Sequence, residues 1–304
     1  MLFLLYGDGC LNLAQVHPGN LHSRQTRHFR IRRQMRHSSG EAGVILNVPK
    51  TKIMAKQKSI IKLEGTIGGI SFYKTQDGYL AREKTSISAS RISSDPRFQR
   101  TRENGAEFGR AGSAGKIVRR SFKDLIRQSS DNRMVSRLTA ELLKVVQADA
   151  VNLRGMRNVI DGELELLSGF NFNGRVSLDQ VIFMAYQSSI DRVSGTFKTD
   201  VPVFDSKLSI QSPQGSTHFT LIMGAASINF ETEITDADQV STDYLALGSV
   251  TTAPLSLEII LQPNSTDPLL LALGIIFYQH VNGVYYPLLN GAHNALSLVK
   301  ISGF

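Results

Sequence analysis

The sequence predicts an α+β fold: an N-terminal β-hairpin, a middle of basic amphipathic helices, and a C-terminal antiparallel β-sandwich of Greek-key or jelly-roll-like form. Three observations predict it. Apolar residues recur with helical spacing between Ser94 and Arg157, and beyond Arg157 the period shortens toward two. Asn-Gly pairs and prolines then break the chain into short runs, as strand connections require. Charge divides at the same place: the net +8 is made up of +6 in residues 1–53, +11 in 54–157 and −9 in 158–304. These three segments are the expected divisions of the chain.

A chain of 304 residues accommodates two domains, each large enough for a core, and 41% hydrophobic with 20% charged residues is a globular composition. The single cysteine, Cys10, excludes a disulfide framework within one copy. The longest apolar run, Leu269–Tyr278, is half of the roughly 20 residues that span a bilayer. Met1-Leu-Phe-Leu-Leu-Tyr lacks a basic n-region and is interrupted by Asp8, so neither a signal peptide nor a transmembrane helix is expected. Synthesis in the cytoplasm follows as the expected localisation.

Residues 1–53 read as a different kind of sequence. Arg24 to Arg36 holds six arginines and one histidine with little periodicity, and ordered patterning begins at Met54. The segment is expected to be an upstream extension preceding a start at Met54. The competing reading is a disordered basic arm that binds nucleic acid or a membrane surface.

The hairpin is read from Ile60–Glu64, Ile70–Lys74 and Tyr79–Glu83, with Gly65 and Gly68-Gly69 as breaks and Thr75-Gln76-Asp77-Gly78 as its turn. That turn pairs Tyr73 with Leu80 and Phe72 with Ala81. A small hairpin is marginal alone, so it is expected to dock on the rest of the chain or on another copy. Phe72 and Tyr73 also suit stacking on bases, against ordinary packing.

Helical signals follow. Ser94 or Asp95 caps the first helix, with Pro96 in its first turn. Gly105, Gly109, Gly112 and Gly115 then either break the helix or admit a close neighbour. Gly115-Lys116 is not a phosphate-binding loop: Arg110 and Ile117 stand where Gly and Ser/Thr are needed. Ile117, Val118, Phe122, Leu125 and Ile126 share one helical face, opposite Arg119, Arg120, Lys123 and Arg127. A second helix begins at the Asp131-Asn132 cap signal and gathers Met134, Leu138, Leu142, Val145 and Val146, with Arg133, Arg137 and Lys144 across from them. A solvated face explains these stripes; contact with the acidic C-terminal segment, or with a nucleic-acid backbone, are the functional alternatives.

In the C-terminal segment, Phe170, Phe172, Val176, Val181, Phe183 and Ala185 read as strands broken at Asn173-Gly174. Further strands are expected at Lys207–Ile210, His218–Met223, Ser227–Phe230, Leu255–Leu261, Leu269–His280, Val284–Leu289 and Ala295–Ile301. Seven or more such strands indicate a sandwich or barrel.

The search for chemistry is mostly negative. The chain has no Gly-x-Ser-x-Gly, no His-Glu-x-x-His and no cysteine pair for zinc. His218, His280 and His293 fall on separate runs. Asp236, Asp238 and Asp243 make an oxygen-rich stretch, but it lacks the Gly and closing Glu of an EF-hand loop, so a solvated acidic loop is expected rather than Ca²⁺ binding. Nothing marks Glu163/Glu165 or Glu231/Glu233 as an acid-base pair. No catalytic, cofactor-binding or metal-binding residue is assigned, no cofactor is expected, and no small-molecule ligand is identified.

The motifs Gly65-Thr-Ile-Gly-Gly-Ile-Ser-Phe-Tyr-Lys74, Asp77-Gly-Tyr-Leu-Ala-Arg-Glu-Lys84, Asp95-Pro-Arg-Phe-Gln-Arg-Thr-Arg-Glu-Asn104 and Asn294-Ala-Leu-Ser-Leu-Val-Lys300 resemble a family of Bacteroidota proteins. The resemblance covers Met54 to Phe304, about 250 residues. It implies a start at Met54 and brings no activity and no catalytic residues. The expected function is therefore a non-enzymatic structural or assembly component. It self-associates as a homo-oligomer through its hairpin and its opposed basic and acidic surfaces, within a phage-like or other large particle. The candidate interaction surface is Phe72, Tyr73, Arg119, Arg120, Lys123, Arg127, Arg133, Arg137 and Lys144. The alternative is a nucleic-acid-binding protein using the basic helical face. An enzyme is the third reading.

Overall fold

The computed structural model describes residues 54–58, 60–84, 87–248, 251–288 and 293–303. The expectations for residues 1–53, including Cys10 and the arginine-rich run, lie outside the described residues. The chain forms two compact units, Met1–Lys84 and Thr85–Phe304.

In the first unit, four strands form an antiparallel sheet: β1 (Met54–Lys56), β2 (Gly65–Ile67), β3 (Ile70–Thr75) and β4 (Gly78–Glu83), in the order β1-β4-β3-β2. Tyr73 pairs with Leu80 and Phe72 with Ala81, the expected register. The pairing continues to Thr75 and Gly78, so the loop closes with only Gln76 and Asp77. Gly78 supplies the positive φ, +114°, and the Thr75 hydroxyl donates to its carbonyl at 2.9 Å. Ile60–Glu64, expected as a strand, is instead a loop. Gln57 holds it by accepting the Leu63 N–H at 2.9 Å while its amide donates to the Leu80 carbonyl at 3.0 Å. Side chains alternate across the sheet, which puts Ile67, Ile70, Phe72, Tyr79 and Ala81 on one face. Thr66, Ser71, Tyr73, Leu80 and Arg82 share the other, where the Arg82 guanidinium lies 5.3 Å from the Tyr73 ring centroid. None of the residues whose burial is described in this unit is buried.

The second unit begins with helices. Ser88 caps α1 (Ala89–Ser94) by accepting the Arg91 N–H. Asp95 accepts the Arg97 N–H and caps a 3₁₀ turn, Pro96–Phe98, that leads into α2 (Gln99–Ser121). The glycines do not break α2. Only Gly115 has a close neighbour, with Leu142 within 3.3 Å of a hypothetical Cβ. The chain kinks at Phe122 and resumes as α3 (Lys123–Ser129), so the expected first amphipathic helix is two pieces; α4 (Met134–Ala148) buries all five expected residues.

Two short helices, α5 (Leu178–Val181) and α6 (Ser206–Ser209), occupy stretches expected as strands. In the first, Ser177 and Gln180 form a reciprocal capping box. In the second, Asp205 accepts the Lys207 N–H. Local capping chemistry outweighs the apolar alternation in both.

The remaining strands form two antiparallel sheets. The smaller consists of β5 (Gln187–Asp191), β6 (Thr196–Val201) and β10 (Leu255–Ile260), in the order β10-β6-β5. The larger contains β7 (His218–Ile228), β8 (Thr235–Ser241), β9 (Leu245–Ala246), β11 (Leu269–Val281), β12 (Val284–Pro287) and β13 (Ala295–Ser302). Its centre is the long β7–β11 pair; β8 and β9 flank β7, while β12 and β13 flank β11.

This larger sheet is apolar on both faces. Phe219, Leu221, Met223, Leu271, Leu273 and Phe277 share one core with Phe197, Val201, Leu257 and Ile259 of the smaller sheet. Ile222, Ala226, Ile228, Leu270, Ala272 and Ile276 share another with Val118, Phe122, Leu125, Leu138 and Leu142 of the helices. The result is helices on a sheet on a sheet, an α+β unit with an antiparallel β-sandwich. Gly224 admits the helices, because a Cβ there would lie 2.6 Å from Leu125 Cδ1. A register shift between Leu271 and Ala272 lets both Leu298 and Ile301 of β13 join the helix-side core.

The expected boundary at 157/158 therefore does not separate two cores: the basic helices and the acidic sheet fold as one unit, and the division falls after Lys84. Each helix needs an apolar partner for its stripe, and the sheet's second face provides it. The connection out of α4 is tight, since a Cβ on Gly162 would run into the Val145 carbonyl. Gly162→Ala is expected to cost about 2 kcal/mol, an overpacking penalty measurable by urea unfolding.

Candidate functional site

The expected basic surface survives only in part. Lys123 and Arg127 are exposed on α3 and Arg133 just before α4. Arg127 lies 4.0 Å from Asp124, and Lys144 lies 2.7 Å from Glu141 on its own helix, so each charge has an acidic neighbour. Arg119 turns back to donate to the Gly115 carbonyl at 3.1 Å, and Arg120 donates to the Glu233 carbonyl in the β7–β8 turn.

Arg137 is a correction to the expected interaction surface. It does not project across from the apolar stripe: its guanidinium donates to the Asn171 carbonyl at 2.7 Å, the Phe172 carbonyl at 3.0 Å and Asp131 at 2.5 Å. The same group lies 5.4 Å from the Phe170 ring centroid. Burial opposes ionisation of Asp131, yet N–H donors from Gly174, Arg133 and Arg137 hold its carboxyl below the usual carboxylate range. Arg137 thus fastens α4 to the 170–174 loop and lines a cleft of about 570 Å³ beside Asn173 and Arg175. Phe72 and Tyr73 lie on opposite faces of the first unit's sheet, both partly exposed.

A second site was not anticipated. At one end of the larger sheet five rings cluster: His218, Tyr244, Tyr278, His280 and Tyr285. Tyr244 stacks on Tyr285 at 3.9 Å with the planes 2° apart, and His280 also stacks on Tyr285, at 4.4 Å. Tyr278 meets Tyr244 edge-on at 4.8 Å, and His218 meets His280 edge-on at 5.3 Å. Burial, followed by the neighbouring His280, pushes the His218 imidazole below its ordinary pKa; burial raises the Tyr278 phenol. Thr217 ties the pair together, its hydroxyl lying 2.9 Å from His218 Nδ1 and accepting the His280 N–H at 2.8 Å.

Next to the rings is a cavity of about 340 Å³. Gln128 of α3 forms one wall, Ser241, Asp243 and Tyr244 the other, and Thr220 and Tyr278 the floor. The signal for the cluster was present in the chain. Asn282 and Gly283 take positive φ, +52° and +81°, in a two-residue turn, and that turn sets His280 opposite Tyr285. What the chain did not show was Tyr244, which arrives from the far side of β7.

Among the described residues, no group of three or more His, Cys, Asp or Glu side chains is placed to hold a metal. Asp236 and Asp238 lie on β8, an outer strand of the larger sheet, rather than in a loop, and accept the Gln262 and Gln239 N–H groups. No described helix is long and apolar enough to cross a membrane. No protein-family model matches the chain, and no curated protein matches it. The resemblance drawn above rests on its motifs alone.

Proposed function

We propose that the chain is a non-enzymatic structural component that self-associates, with the first unit's sheet meeting a second copy. The observation that carries this reading is the sheet itself: it presents Ile67, Ile70, Phe72, Tyr79 and Ala81 on one face, while Ile67 and Ile70 remain 63% and 46% exposed. Four short strands with no buried residue among those whose burial is described lack the core that independent stability requires. Pairing with another copy supplies it. The opposed charges add a second contribution, since Lys123 and Arg127 are exposed on the helical side while Asp236 and Asp238 are exposed on β8. A large particle built from such copies is the assembly this reading favours.

Light scattering of the full chain and of a chain starting at Met54, at about 0.05 M and about 1 M salt, tests it. A mass above the monomer is expected at low salt. Ile70→Asp with Phe72→Asp is expected to weaken association at least about tenfold, from the loss of buried apolar area. A monomer at both salt concentrations overturns the reading. Exposure of Lys123 and Arg127 also suits binding to a nucleic-acid backbone, which predicts affinity falling steeply with salt.

A further inference from the structure

We propose that the cavity between α3 and the β8–β9 corner binds an organic cation, a guanidinium or alkylammonium group. Its charge points that way. Asp243 is the only charged side chain lining it among the described residues, and its carboxylate has no ion-pair or hydrogen-bond partner among them. Around it stand groups able to accept hydrogen bonds, the Gln128 and Gln239 carboxamides and the Ser241 hydroxyl. An anion placed here would meet Asp243 with no Lys or Arg to offset the repulsion.

The aromatic geometry points the same way. Tyr244 and Tyr278 both line the cavity, with their planes 88° apart and centroids 4.8 Å apart, so they form a corner. The face of an aromatic ring carries negative electrostatic potential and attracts a cation within about 6 Å of its centroid. Tyr285, stacked behind Tyr244, fixes the orientation of that ring before any ligand arrives. A carboxylate lining the same cavity as two perpendicular rings favours a cation over its neutral isostere. Two sources supply such a group: a free small molecule, or an Arg or Lys side chain of a second copy. Only the latter rests on the self-association reading.

The probes are N-methylguanidinium and tetramethylammonium, titrated into the full chain at constant ionic strength and followed by amide and tyrosine ring NMR shifts. N-methylurea and tert-butanol are the neutral controls. Saturable shifts at Thr242, Asp243 and Tyr244 are expected for the cations alone. Asp243→Asn, an exposed and nearly isosteric change, is expected to weaken half-saturation about tenfold, as is Tyr244→Leu. Equal shifts from the neutral controls, or cation binding unaltered by Asp243→Asn, overturn the proposal. Asp243→Asn alone decides if Tyr244→Leu fails to fold. Light scattering in the presence of N-methylguanidinium separates the sources: dissociation identifies a second copy's side chain as the occupant, and binding without dissociation identifies a free ligand. Because the shifts are read whether or not the protein associates, a monomer leaves this test intact.

Discussion

Arg192→Met is expected to destabilise the Thr85–Phe304 unit by about 3 kcal/mol. Arg192 follows β5, and its guanidinium donates to the Ser265 and Asp267 carbonyls at 2.7 Å, the Ser302 carbonyl at 3.0 Å and hydroxyl at 2.9 Å, and the Gly303 carbonyl at 2.6 Å. Three remote segments, the β5–β6 turn, the approach to β11 and the end of β13, are thereby joined at one planar group. Removing it strands several partly buried carbonyls at once, and hydrogen bonds to a charged donor contribute about 1.5–3 kcal/mol each before losses overlap. Arg192→Lys is expected to recover only part of the loss, because an ammonium cannot span the acceptors that a planar fork reaches. The urea midpoint of the major transition reports both, and a midpoint unchanged in Arg192→Met would remove this account.

Asp149→Ala is expected to lower stability by about 2 kcal/mol at neutral pH and to abolish part of the protein's acid sensitivity. Asp149 ends α4. One of its carboxylate oxygens accepts the Val151 and Asn152 N–H groups at 2.8 and 2.9 Å; the other accepts the Asn152 side-chain amide at 2.9 Å and the Asn158 N–H at 3.0 Å. Burial alone would raise its pKa, but these donors together hold it down to about 2. In the unfolded chain an aspartate titrates near 3.9. The folded value is the lower one, so the contribution is fully present above about pH 4 and is lost as pH falls toward 2. Urea midpoints at pH 7 and pH 2.5 are expected to differ less in Asp149→Ala than in the parent; an identical pH dependence contradicts the assignment.

Much of the fold could be read from the chain, and the exceptions share a cause. The hairpin register and the α4 stripe were legible because the Thr75-Gln76-Asp77-Gly78 turn signal and 3.6-residue spacing are local rules. Strands β5, β6 and β8 were not expected; in β5 and β8, Gln-Ser-Ser-Ile-Asp and Thr-Asp-Ala-Asp-Gln-Val-Ser carry too few apolar residues to alternate. Those two are strands because β6 and β7 offer them hydrogen-bonding edges. Arg137 was misjudged for a related reason: its place on the helix was correctly polar, but its length let it reach backbone carbonyls of a loop more than 30 residues away in the chain.

The sequence by itself determined the α+β class, the long helices, the central strands of the larger sheet and the opposed charges, because periodicity, turn chemistry and composition are properties of neighbouring residues. Only the tertiary structure decided that the basic helices and acidic strands are one folding unit, for a sheet apolar on both faces requires a layer on each. Only it decided that Asp243, Tyr244 and Tyr278 share a cavity, and that Arg137 faces inward. These depend on which distant segments are brought together, and burial of apolar surface, which drives that choice, leaves no spacing rule in the chain.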